Sequence, residues 1–240
     1  MTARSRSWIA PLVLLAIVAG IGAVAWQLRS GGLQIPYRFD PWARLDLSQS
    51  DDWLTRHRLA RLGDEPLACR EVLATTDFVT RALPDRTTGP GCGFDNAVEV
   101  RRSSLAASPS FPLSCRAAVS LALWEARVVK PAALAHFGVE ATRIEHFGSY
   151  ACRNIYNQPS ARRSQHATAD AFDVAGFVLA NGRPVRVAAD WNSRDPKVQA
   201  FLREVHDGAC RYFDGVLGPE YNAAHADHFH LDRGGYTVCR

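Results

Sequence analysis

The sequence predicts an α+β domain behind a single apolar N-terminal helix. Three observations carry the prediction. Trp8 to Leu28 is a 21-residue apolar run. The chain beyond residue 60 mixes stretches of helical spacing, such as Ala118, Leu121, Ala122 and Glu125 behind Ser114, with short strand-like runs. Asn181-Gly182 lies between two such runs, and Asn-Gly supplies the positive φ angles of a two-residue hairpin turn. Helices first, then strands around one further helix, imply a small antiparallel sheet with flanking helices rather than alternating βαβ units.

At 240 residues the chain holds one well-filled core and an extension. With 47% hydrophobic and 22% charged residues it is an ordinary globular composition. The net charge of +4 is scattered, and no basic block with interleaved aromatics would track a phosphate backbone, so no nucleic-acid partner is expected.

The apolar run 8–28 is long enough to span a bilayer. Arg4 and Arg6 precede it, which places residues 1–7 in the cytoplasm and the rest outside. It exceeds the apolar core of a cleavable signal and ends in Trp-Gln-Leu-Arg, so it reads as an uncleaved anchor in the bacterial inner membrane, with the remainder in the periplasm. Residues 29–61, with Gly31-Gly32, Pro36 and Pro41 and no sustained period, read as a tether, and residues 62–240 as the folded domain. Six cysteines, Cys69, Cys92, Cys115, Cys152, Cys210 and Cys239, lie on the outer side, and an even count there implies disulfides. Sequence does not choose among the 15 pairings; Cys69–Cys92, Cys115–Cys152 and Cys210–Cys239 are the expected set.

Within the domain, a helix is expected over 67–83, a turn at Gly89-Pro90-Gly91-Cys92-Gly93, and a strand over 96–101. Ser114 caps a helix running to about Val128, with Pro131 marking its end, and 143–152 reads as a strand. The hairpin pairs 171–179 with 184–189. Asp195-Pro196 opens a helix to about Phe213, and 229–231 is a last strand.

The densest polar signal is Ser164-Gln-His166 with Asp170 and Asp173, followed by His225-Ala-Asp227-His228-Phe-His230-Leu-Asp232. Imidazoles and a carboxylate from separate points are what a catalytic zinc takes, three from protein with one position left open. Asp173 opens an apolar strand, where an uncompensated charge would cost several kcal/mol, so a metal, an arginine or a set of hydrogen bonds must meet it. His228 and His230 are two apart, so on a strand either of them suits a ligand position.

Ser164-x-His166-x(6)-Asp173 with Asp227-His228-x-His230 resembles the signature of zinc D-Ala-D-Ala carboxypeptidases, murein endopeptidases and hedgehog-type domains. From about Cys69 to Asp232 the chain resembles more closely the bacterial extensin-like C-terminal family. That match is carried by Gly91-Cys92-Gly93, Gly148-Ser149-Tyr150-x-Cys152-Arg153, Asp190-Trp191, Val216-Leu217-Gly218-Pro219 and Tyr221-Asn222-Ala223-Ala224-His225. The resemblance implies a hedgehog/DD-peptidase-like fold, with His166, Asp173 and His230 as zinc ligands and Arg153 facing substrate. Where several carboxypeptidases carry glutamate three residues before the last ligand, this chain has the shorter Asp227; murein endopeptidases place a histidine where His228 stands. His228 and Asp227 are therefore both base candidates.

The expected function is a membrane-anchored zinc-dependent peptidase or amidohydrolase acting on peptidoglycan peptides. The alternative is a non-catalytic cell-wall-binding module with a structural zinc. Asp170 and Asp232 read as partners orienting the ligand imidazoles, and His225 as a loop residue beside them. Arg162-Arg163 reads as a solvated loop, and Trp191 as a core residue or a stacking platform.

Overall fold

The computed structural model describes residues 9–240. The expected tail 1–7 and Trp8 lie outside the described residues. The chain divides into two compact units, Met1–Ala43 and Arg44–Arg240. The first carries α1 (Ile9–Arg29), which is long and apolar enough to cross a membrane and has no buried residue. It ends where Gly31 takes a left-handed φ of 75°, a conformation glycine adopts without a Cβ clash.

The second unit begins at Arg44 rather than at the expected 62. Leu45, Leu54 and Leu59 are buried, and Arg127 donates to the carbonyls of Leu47 (2.7 Å) and Gln49 (2.8 Å). Most of the expected tether is thus strapped onto the domain by side-chain hydrogen bonds, which leave no periodic trace. Its α2 (Thr55–Arg61) and α3 (Pro66–Leu73) follow. The helix expected over 67–83 stops at Leu73, because Thr75 and Thr76 donate their hydroxyls to the carbonyls of Val72 and Leu73 (both 2.7 Å). The chain then runs as strands β1 (Val79–Ala82), β2 (Arg86–Gly89), β3 (Cys92–Phe94), β4 (Ala97–Arg102), β5 (Ala106–Ala107) and β6 (Phe111–Ser114).

Ser114 caps α4 (Cys115–Trp124), its Oγ accepting the Ala117 N–H. Pro131 does not end this helix. A π turn over Glu125–Val129 shifts the hydrogen-bond ladder, so Pro131 falls in the first turn of α5 (Lys130–Phe137), where its missing N–H costs nothing. There follow β7 (Ala141–Gly148), β8 (Ala171–Leu179), β9 (Pro184–Arg186), α6 (Val187–Asp190), α7 (Pro196–Ala209), β10 (Gly215–Leu217), β11 (Phe229–Asp232) and β12 (Val238–Cys239). Asp195 caps α7 by accepting the Lys197 N–H at 3.0 Å. The helix stops four residues short of Phe213, and β9 gives way to α6 before residue 189.

The fold is α+β, with a principal sheet larger than the sequence implies. Its order is β12-β10-β11-β8-β7-β5, with β9 also paired to β8. β10–β12 and β5–β7 are parallel and the other pairs antiparallel. A smaller sheet orders β1-β4-β6, and β2 pairs β3. Strand β8 is buried along nearly its whole length. Phe177 meets Phe201 of α7 (5.3 Å between centroids) and Trp124 of α4 (5.9 Å), while Phe172 stacks on Phe111 at 4.5 Å.

Three disulfides staple the unit: Cys69–Cys115, Cys92–Cys152 and Cys210–Cys239. The expected pairs Cys69–Cys92 and Cys115–Cys152 are corrected. α3 packs on α4 across the intervening strands, putting the Cα atoms of Cys69 and Cys115 6.1 Å apart. The β2–β3 hairpin lies along the loop after β7, putting those of Cys92 and Cys152 5.5 Å apart.

Candidate metal centre

Asp173 on β8 and His230 on β11 are direct cross-strand partners in the antiparallel ladder, and Gly148 at the end of β7 faces Asp173 from the other side. The sheet register therefore fixes two side chains together, with no loop to adjust. His166 comes from the 3-10 turn Gln165–Thr168. Ser164 Oγ accepts the His166 N–H (3.3 Å), and Ala169 closes the turn in the left-handed region at φ 55°. The turn is anchored by Asp170, which accepts Ser114 Oγ (2.6 Å) and both Nε and a terminal nitrogen of Arg116 (3.0 Å each).

Three ligand atoms converge. His166 Nε2 lies 3.1 Å from Asp173 Oδ1 and 3.1 Å from His230 Nδ1, and His230 Nδ1 lies 2.9 Å from Asp173 Oδ1. The opposite ring nitrogens have partners of their own: His166 Nδ1 donates to the Ser149 carbonyl (3.0 Å), and His230 Nε2 to Asp232 Oδ2 (3.0 Å). Those outer bonds fix both tautomers with their lone pairs facing each other and the carboxylate. Two lone pairs and an anion 3 Å apart repel unless a cation or a proton lies among them. Among the described residues this is the one set of three histidine, cysteine or carboxylate ligand atoms that close together.

The electrostatics agree. Burial opposes ionisation of Asp173, but the hydrogen bonds and charges of His166 and His230 hold it well below the usual carboxylate range. Burial likewise disfavours charge on His230, yet Asp173 and Asp232 outweigh it and push the imidazole up to about 9. Asp232, fully buried, also accepts Gly234 N–H (2.7 Å) and Tyr236 O–H (2.9 Å).

The cluster opens on a cavity of about 200 Å³ bordered by Arg153, Tyr156, His225, His228 and Tyr236. A larger one of about 460 Å³, beside Arg116 and Asp170, gathers no comparable set of ligand atoms. His228 stands at the cavity with Nε2 3.6 Å from Asp173 Oδ1, too far for a hydrogen bond, and its Nδ1 is 2.7 Å from Asp227 Oδ1. Asp227 is mostly exposed and reaches the site only through His228. Arg153 has no ion pair or hydrogen-bond acceptor for its guanidinium among the described residues. Asp190 accepts the Arg186 N–H at 2.8 Å. Trp191 is buried against Phe229 and covered by Arg203, 3.8 Å above its ring, so it is a core residue.

Of the outer residues, Asp232 orients His230 as the sequence implies. Asp170 does not touch an imidazole and instead holds the His166 turn. His225 belongs at the cavity. Its Nδ1 donates to Asn222 Oδ1 (2.8 Å), and burial, with the charges of His230 and His228, lowers it to about 4, leaving Nε2 a neutral acceptor. The Ser149 carbonyl gave no sequence signal, since every residue carries one.

Fold and site together define a class: an α+β domain with a candidate His-Asp-His metal-binding triad bordering a cavity. The model of the family described as extensin-like protein C-terminus matches residues 67–240, and the chain belongs to that family. No curated protein and no solved structure matches the chain.

Proposed function

We propose that this protein is a zinc-dependent peptidase or amidohydrolase, held by α1 at the outer face of the bacterial inner membrane and acting on peptidoglycan peptides. The observation that carries the reading is the donor set itself: two imidazoles and one carboxylate, three ligands rather than four, at the floor of a cavity. Structural zinc sites are closed by four protein ligands, whereas catalytic ones keep a position open. This favours the enzyme over the wall-binding module.

The donor set fits zinc, since nitrogen and oxygen atoms converge with their tautomers fixed by Ser149 and Asp232. Bound there, zinc would polarise a scissile carbonyl and lower the pKa of a water at the open position to about 7. The chain's own residues do the rest. His228 takes and returns the proton through Nε2, and Asp227 fixes its tautomer through Nδ1. His225 offers a second acceptor through Nε2, and Arg153 holds a substrate carboxylate. The three disulfides and the apolar helix suit an extracytoplasmic domain facing the wall.

The test is His228→Ala in the full chain, assayed on purified murein and for zinc content together. Release of peptides by the parent, lost at least a hundredfold in the variant with zinc retained, supports the enzyme. Binding to murein with no product from the parent would replace it with the wall-binding module.

A further inference from the structure

The cavity at the ligand cluster carries more positive charge than one substrate carboxylate requires. Residues 153–164 leave and return as a short ladder: Ile155 N–H donates to the Arg162 carbonyl (3.0 Å), Ser164 N–H to the Arg153 carbonyl (3.1 Å), and Asn154 faces Arg163 in an antiparallel bridge. Side chains alternate across such a ladder, so Arg153, Ile155, Arg162 and Ser164 share one face, and Asn154 and Arg163 the other. Arg163 also borders the cavity, but its guanidinium is engaged by the protein, donating to the Pro90 carbonyl (2.9 Å) and to Asn154 Oδ1 (2.8 Å).

Arg153 and Arg162 both border the cavity, and neither guanidinium has an acid partner among the described residues. Arg162 lies over the ring of Tyr236 at 5.3 Å, which holds it at the cavity rim. Tyr236 is itself fixed by its bond to Asp232, the acceptor of His230. Asp173 is the one carboxylate bordering the cavity, and His166 and His230 engage it. Two guanidinium forks therefore face the cavity uncompensated.

We propose that this cavity holds two anionic groups of its ligand at once, one at Arg153 and one at Arg162, and so selects peptides carrying two carboxylates. The inference rests on the reading of the cavity as a substrate site. Arg162, which sequence assigns to a solvated loop, is then a specificity-determining residue: it grips the second carboxylate with a planar fork, a geometry that lysine would not reproduce.

The experiment is calorimetric binding to the zinc-supplied full chain in neutral detergent at low salt. The ligands are N-acetyl-alanyl-glutamate, with two carboxylates, and N-acetyl-alanyl-glutamine, with one. The dianion is expected to bind about tenfold more tightly in the parent. Arg162→Gln should remove most of the dianion's advantage while weakening the monoanion by less, and Arg153→Gln should weaken both ligands. Equal affinities in the parent, a preference that survives Arg162→Gln in full, or no binding of the dianion would overturn the proposal. Because binding is read without turnover, a chain that prefers the dianion but never releases product from murein retracts the hydrolase reading and supports this one.

Discussion

Asp232→Asn probes how the cluster is held for its metal. In the parent, Asp232 is fully buried and receives His230 Nε2 at 3.0 Å, Tyr236 O–H at 2.9 Å and Gly234 N–H at 2.7 Å. Asparagine is the same size and keeps one acceptor oxygen, so packing survives. What it removes is the negative charge behind His230 and one acceptor, while the new amide presents donors to groups that already donate. The imidazole becomes a weaker ligand, and its preferred tautomer is no longer enforced. Loss of such an outer partner costs about 10- to 100-fold in metal affinity, or about 1.4–2.7 kcal/mol. Competition with a chromophoric chelator at pH 7.5 measures this directly, with circular dichroism to show that the variant is folded. An affinity within threefold of the parent would refute the argument that Asp232 fixes His230 for a metal.

Two pH dependences follow from other residues. A cation in the cluster displaces the proton of His230, whose value is about 9, so zinc affinity should rise with pH by up to about tenfold per unit between pH 6 and 9 and flatten above; an affinity independent of pH over that range would count against the site. Glu125 is buried in the π turn, with Ser104 Oγ and Leu105 N–H on Oε2 and nothing on Oε1, and burial, against the pull of those bonds, pushes it up to about 7. Its folded value lies above its unfolded one, so the folded chain binds the extra proton. Its contribution is full below about pH 4.5 and is lost as pH rises through 7, by about 3 kcal/mol. Glu125→Gln lacks that slope, so the stability difference between parent and variant in urea unfolding should move in the variant's favour by about 2–3 kcal/mol from pH 5 to pH 8, and a difference that does not change with pH would contradict it.

Much of this site was legible because its signals are local. His166 and Asp173 stand in one short segment, and His225, His228 and His230 in another, while the Asn-Gly turn and the Asp-Pro cap marked β8 and α7. What joins the two segments is register: His230 opposes Asp173 only because β11 lies antiparallel beside β8, and no spacing along the chain states that. The same limit explains the disulfides, where neighbouring cysteines in sequence are not neighbours across the α3–α4 contact. It also explains the strap from Arg44 to Leu54, whose order comes from Arg127 far along the chain. Pro131 misled for a different reason. A proline ends a regular helix, but a π turn before it resets the ladder so that it begins one.

Whether His166, Asp173 and His230 hold a metal is read by elemental analysis of the full chain, produced in an oxidising compartment and dialysed against zinc. About one zinc per chain is expected in the parent and none in the His166→Ala, Asp173→Ala double variant. A folded parent that holds no zinc after supply, or a double variant that keeps it, would rule out this cluster as the metal site.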